Sequence, residues 1–162
     1  MNDFRVGIGQ DSHKFSSDPN KKLFLGGIEI AEAQGLEANS DGDVVIHALC
    51  NALEQALGND SFSTYADPMC QKGITDSKEY LRVALEHVRD KKYKINNIGI
   101  SVEAKKPKIL PVSDKIRKFL SEIMKIEEDA IGINATSGEE LTAFGKGEGV
   151  QAFAIVSLSR TL

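Results

Sequence analysis

Hydrophobic residues recur in this 162-residue chain with two different periods, and their order along the chain limits the folds open to it. Phe4, Val6 and Ile8 alternate with Arg5 and Gly7 and run into Gly9, which is the period of a half-buried strand. The same period returns at Ile98, Ile100 and Val102, at Ile131 and Ile133, and at Val150, Ala152, Ala154, Val156 and Leu158. Helical spacing governs three segments: Val45, Leu49, Ala52, Leu53 and Ala56; Leu81, Ala84, Leu85 and Val88; Ile116, Phe119, Leu120 and Ile123. Leu23-Phe24-Leu25 meets Gly26-Gly27 and resumes at Ile28 and Ile30, a hairpin expected at a sheet edge. Strands interspersed with three helices predict one α+β domain over residues 1–162. Its mixed sheet is covered by helices on one face, ferredoxin-like in broad plan.

Local signals divide these segments. Ser40 with Asp43 reads as a capping box before the first helix, and Gly58 ends that helix. Residues 59–75 show no period and contain Asp67-Pro68 and Gly73, so they read as a long loop that could serve as a lid. Asp76-Ser77-Lys78-Glu79 opens the second helix, on which His87 is expected to face solvent, with a solvated basic run from Arg89 to Lys94 after it. A net charge of −4 without a basic, aromatic-interleaved stripe excludes nucleic acid as a partner. No apolar run approaches the roughly 18 residues of a membrane span, and no targeting peptide is expected before the first strand. Cys50 and Cys70 are expected to be reduced thiols in the cytoplasm, Cys50 packed in the core.

The chemistry-bearing residues fall in separate places. Two apart on an extended segment, Asp11 and His13 share a face and can reach one ion. Such a pair is common by chance, and His47 strengthens it, lying two turns into the capped helix on a stripe with Asn51 and Glu54. Two imidazoles and a carboxylate are a set that zinc accepts with its fourth position open for substrate or water, although other transition metals suit it too. Asn39 and Ser40 sit where a helix offers unpaired N–H groups to phosphate, unless they form only a cap. Thr136-Ser137-Gly138-Glu139 follows a strand with two hydroxyls, a glycine and a carboxylate able to hold magnesium; a plain polar turn is the alternative. Gly145-Lys146-Gly147 lacks the spacing and following hydroxyl of a nucleotide P-loop, and Gly7-Ile8-Gly9 lacks the third glycine of a dinucleotide fingerprint.

Four blocks taken in order resemble the 2-C-methyl-D-erythritol 2,4-cyclodiphosphate synthase family: Gly7 to His13; Ser40 to Asp43 with His47; Lys106-Pro107-Lys108-Ile109-Leu110-Pro111; and Ala135 to Glu139. The resemblance spans nearly the whole chain. It implies a bacterial-type cytoplasmic homotrimer with active sites between subunits, a phosphorus–oxygen lyase of the non-mevalonate route to isoprenoid precursors. The implied substrate is a cytidine diphosphate, 4-diphosphocytidyl-2-C-methyl-D-erythritol 2-phosphate, whose 2-phosphate attacks the β-phosphate and expels CMP. One zinc ion per subunit on Asp11, His13 and His47 and a magnesium or manganese ion on Glu139 are implied cofactors. Residues Ala104 to Leu110, with Ile109 among them, would cradle cytosine, and Lys108 would meet phosphate. Thr136, Ser137 and Gly138 would bind the diphosphate, and Asp60 the methylerythritol. Asn39 and Ser137 are implied in transition-state stabilisation; Ser40, Ala143 and Lys146 complete the implied contacts. The chain departs from the family pattern in three places: Asn39 stands for a frequent histidine, Asn51 for a frequent acid and Lys146 for a frequent arginine.

Overall fold

The computed structural model describes residues 3–160. Strand β1 (Phe4–Lys14) is followed by the hairpin β2 (Leu23–Leu25) and β3 (Ile28–Ile30), then by helices α1 (Val44–Ala56), α2 (Ser63–Gln71) and α3 (Ser77–Asp90). Strand β4 (Tyr93–Glu103), helix α4 (Ser113–Met124), strand β5 (Ile131–Thr136), the single turn α5 (Ala143–Lys146) and strand β6 (Gly149–Arg160) complete the chain. The main sheet is mixed, in the order β1-β6-β4-β5, with only the β4–β5 pair parallel. Among the described residues no helix is long and apolar enough to cross a membrane.

The first strand has the expected period but the opposite buried face. Gly7 and Gly9 turn inward, while Phe4, Val6 and Ile8 stand 62%, 64% and 54% exposed. The reason is close approach by α1. A Cβ on Gly7 would lie 2.0 Å from the Ala52 carbonyl oxygen, and one on Gly9 would lie 1.9 Å from that of Ala48. Only glycine lets strand and helix backbones touch in this way. In β6 the alternate residues Val150 to Leu158 are buried on the α1 side, leaving Phe153 and Ile155 on the exposed side. The outer face of the sheet therefore carries an apolar strip.

Asp43 corrects the expected capping box: it is the N-cap residue itself. Its buried carboxylate accepts from the Val45 and Ile46 amides of α1 and from the Gly26 and Gly27 amides of the hairpin, at 2.7–3.1 Å. One side chain thus starts the helix and pins the hairpin turn. Burial and repulsion from Asp41 push its carboxyl above the usual range, and the Gly27, Ile46 and Gly26 amides pull the other way. Ser40 Oγ instead accepts from the Gly42 amide. The hairpin forms its own two-stranded sheet rather than an edge of the main one. Residues 59–75 are not a plain loop either, because α2 lies within them. Ala66 is its only fully buried residue and Pro68 falls inside it, so no apolar period marked it.

The glycine contacts predict that Gly9→Ala lowers the free energy of unfolding by about 3 kcal/mol, because the added methyl meets helix backbone that cannot step aside. An unchanged urea midpoint would show that α1 does not sit this close.

Candidate functional site

Gly7, Gly9, Asp11 and His13 share one face of β1, and the glycines that admit α1 bring His47 over the other two. Asp11 Oδ2 lies 2.8 Å from His47 Nδ1 and 3.1 Å from His13 Nε2. The three ligand atoms all lie within 4.8 Å of one another. His47 is 5% exposed, so α1 presents it to the interior; the polar stripe expected to hold it is buried at His47 and Glu54 and half-buried at Asn51.

The outer nitrogen of His47 shows which way the ring is set. Nε2 lies 2.7 Å from Ser77 Oγ. Ser77 is itself fully buried, donates from its hydroxyl to the Asp41 carboxylate and donates from its amide to Asp41 Oδ2 at 2.9 Å. With its hydrogen committed to Asp41, Oγ accepts from Nε2–H, and Nδ1 is left with its lone pair. Two acceptors, Nδ1 and Asp11 Oδ2, then face each other at 2.8 Å, an arrangement that requires a proton or a metal ion between them. With a proton in that place, burial pushes the Asp11 carboxyl up, but hydrogen bonds with His13 and His47 and their charges outweigh it and hold it at about 2. The Asp11 hydrogen bond raises the pKa of His13 against the effect of burial.

Tetrahedral ligands about 2.0–2.1 Å from a zinc-like ion stand roughly 3.3 Å apart. The 2.8 and 3.1 Å separations, an ionised carboxylate and an imidazole with its lone pair turned inward fit one divalent ion. The triad opens on a cavity of about 210 Å³ whose lining includes Asn39, Ser40, Phe62, Asp67, Cys70 and Tyr80. Phe62 and Tyr80 place their rings 5.1 and 6.2 Å from that of His47. Asp43 accepts from the Val45 and Ile46 amides of α1, so those two N–H groups are already partnered beside Asn39 and Ser40.

A second cluster forms where β5 ends. Thr136 ends β5, where Gly138, Glu139 and Glu140 all take positive φ. Two consecutive non-glycine residues in that region hold the Glu139 carboxylate outward at some backbone cost. Thr136 Oγ1 accepts from the Gly138 amide, and Ser137 Oγ both accepts from the Glu139 amide and meets its carboxylate at 3.2 Å. The Ala104 amide donates to the Thr136 carbonyl and the Lys105 amide to that of Phe144, so the basic loop packs onto this turn. Lys108 and Leu110 are exposed and Ile109 is buried; Ala143 and Lys146 begin and end α5, both exposed.

These two clusters do not meet within one chain. They share an end of the sheet, but β1 and β5 are three strand spacings apart, about 14 Å. No residue of 104–110 or 136–146 lines the triad cavity, and Asp60, exposed on the 59–62 segment, lies outside it as well. Sequence reasoning missed Asp41, Phe62, Asp67, Cys70, Ser77 and Tyr80. Asp41 and Ser77 lie within motifs singled out for capping, yet their pairing spans 36 positions and leaves no local signal. His87 is not simply solvent-facing: its Nδ1 lies 2.8 Å from the buried Glu54 carboxylate. Both cysteines are free, and Cys50 is fully buried as expected.

The model of the YgbB family matches residues 4–159. A 2-C-methyl-D-erythritol 2,4-cyclodiphosphate synthase of Chlamydia trachomatis serovar L2b is 45% identical over 157 residues, covering 96% of this chain and 88% of that protein. The Chlamydia caviae enzyme of the same name is 39% identical over 158 residues, covering 96% and 89%. Among solved structures, IspF of Plasmodium falciparum in complex with CDP superposes with a TM-score of 0.87 at 30% identity, over 100% of this chain and 99% of that one. The bifunctional IspDF of Campylobacter jejuni gives 0.90 at 29% identity, over 99% of this chain and 43% of that one.

The Ser77 contact predicts that Ser77→Ala, which leaves His47 Nε2–H without its buried acceptor, weakens binding of a divalent ion roughly 10- to 100-fold. Competition against a chromogenic chelator measures this, and unaltered affinity would remove Ser77 from the site.

Proposed function

The chain belongs to the YgbB family, and we propose that it performs the step for which its relatives are named, the closure of 2-C-methyl-D-erythritol 2,4-cyclodiphosphate. The observation that carries this reading is the convergence of Asp11, His13 and His47 on an open cavity in a chain that the family matches over residues 4–159. The substrate is 4-diphosphocytidyl-2-C-methyl-D-erythritol 2-phosphate. An oxygen of its 2-phosphate bonds to the β-phosphorus, the bond from that phosphorus to the bridging oxygen breaks, and CMP departs. No water enters, so the reaction is a phosphorus–oxygen lyase step.

Such a transfer depends on positioning and on charge neutralisation. A zinc ion held by Asp11, His13 and His47 and a magnesium or manganese ion held by Glu139 would supply that positive charge to phosphate oxygens. Ser77 and Asp41 keep the His47 ring aimed at the cavity. Thr136, Ser137 and the Gly138 backbone hold the diphosphate, with Ser137 donating to the oxygens on which charge grows. Asn39, in the lining of the triad cavity, donates a neutral hydrogen bond, and Ser40 supports it. Residues Ala104 to Leu110 cradle cytosine, Lys108 meets phosphate, Asp60 takes the methylerythritol hydroxyls, and Ala143 and Lys146 border the assembly.

The assembly we propose is a cyclic homotrimer of ferredoxin-like α+β subunits working in the cytoplasm, where free thiols persist. The apolar strip of Phe4, Val6, Ile8, Phe153 and Ile155 supports inward packing of three sheets. The gap between the two clusters supports a site shared by neighbours, the metal triad from one subunit and the Thr136–Glu139 turn from the next.

Purified protein supplied with zinc and magnesium is expected to form CMP and the cyclic diphosphate in equal amounts, without oxygen-18 from labelled water; a labelled or linear product would mean hydrolysis instead. His47→Ala and Glu139→Ala should each lose activity roughly 100-fold. Mixed under conditions of subunit exchange in equal amounts, they should recover about a quarter of wild-type activity, since that fraction of neighbour pairs is intact. No recovery in proven mixed trimers would contradict a shared site.

A further inference from the structure

Two helical turns beyond His47, α1 carries a second ionisable group that the reaction leaves unused. Glu54 is 1% exposed. Its Oε1 lies 2.8 Å from His87 Nδ1 on α3, and its Oε2 accepts from the Asn59 side-chain amide at 2.7 Å. Asn59 is held by two further bonds: its backbone amide donates to the Glu54 carbonyl at 2.9 Å, and its side-chain oxygen accepts from Lys91 Nζ at 2.6 Å. Lys91 also donates to the Leu57 carbonyl. From Asn59 the chain passes to Asp60, then to Ser61 and Phe62, whose hydroxyl and amide donate to Asn51 Oδ1. Phe62 ends this segment with its ring against His47 and Tyr80.

A buried carboxylate persists only with good partners, and its partners fix geometry in a way that an apolar side chain would not. Here those partners are α3 and the one short segment that leads to the wall of the triad cavity. We propose that Glu54 and His87 are positioning residues for residues 59–62. They lock Asn59 between α1 and α3, and so set Asp60 toward the sugar-phosphate half of the substrate and Phe62 against the metal histidine. The inference rests on the reaction assigned above for its substrate, but the anchoring itself needs none.

The test pairs kinetics with amide hydrogen exchange. Glu54→Leu/His87→Leu replaces the pair by apolar side chains and should fold and keep the metal content of the wild type. Its KM should rise about tenfold with kcat within about threefold, and the amides of Asn59 and Phe62 should exchange faster. Glu54→Gln should restore a KM near that of the wild type, since its carbonyl oxygen can accept from Asn59 and its amide can donate to His87 Nδ1. A double variant with unchanged KM and unchanged exchange would overturn the proposal, and so would a fall in kcat at constant KM. If the double variant does not fold, Lys91→Met decides: this surface change should raise KM about threefold, and an unchanged KM counts against the anchor. Wild-type protein that releases no CMP would sink the assigned reaction instead, while the exchange data would still judge the anchor.

Discussion

The contact of helix α1 with strand β1, backbone against backbone, is the constraint from which the rest of this structure follows. It exists because Gly7 and Gly9 have no side chain to hold the helix away. Seated that close, α1 lays His47 directly over Asp11 and His13, although these residues lie 36 and 34 positions away in sequence. Inverting the buried face of β1 has a second result. The large apolar residues of the strand are displaced to the outer face, where one copy alone cannot cover them. The same two glycines therefore shape both the candidate metal triad and the apolar strip on the outer face of the sheet.

Carboxylates organise the region around that contact, each with a distinct set of partners. Asp43 gathers four backbone amides and joins the hairpin to the start of α1. Asp41 takes both hydrogens of Ser77 and so ties the start of α3 to the segment before α1, setting the direction of the His47 ring. Asp11 stays ionised because the two imidazoles beside it outweigh its burial. Glu54 repeats the pattern two turns further on. Buried polar groups that are fully partnered narrow a core to one arrangement, and a site that must hold three ligand atoms in register needs that.

The plan of the fold was legible wherever hydrophobic period carried it: four sheet strands, the hairpin and three principal helices. It was illegible where burial is incomplete. Helix α2 has one fully buried residue and an internal proline, so periodicity had nothing to report. The face of β1 was misread because alternation gives the period and not the phase; Gly7 and Gly9 face the helix although they add no apolar surface. In the site, Asp11, His13 and His47 could be named from motif and spacing, and the structure brings them together. Ser77, Asp41 and Phe62 could not, because each acts through a contact made only after helices α1, α2 and α3 have packed. The capping residue was misplaced by three positions for a related reason: Asp43 also serves the hairpin, a partner invisible to a local reading.

Everything proposed for the reaction depends on one ion lying among Asp11, His13 and His47. Anomalous X-ray diffraction recorded on both sides of the zinc absorption edge, from crystals grown with zinc, examines that point without reference to turnover. The expected result is one zinc peak per chain, about 2.0–2.2 Å from Asp11 Oδ2, His13 Nε2 and His47 Nδ1. A triad empty of zinc in such crystals, or a zinc ion held by His47 through Nε2 with Ser77 displaced, would contradict the account.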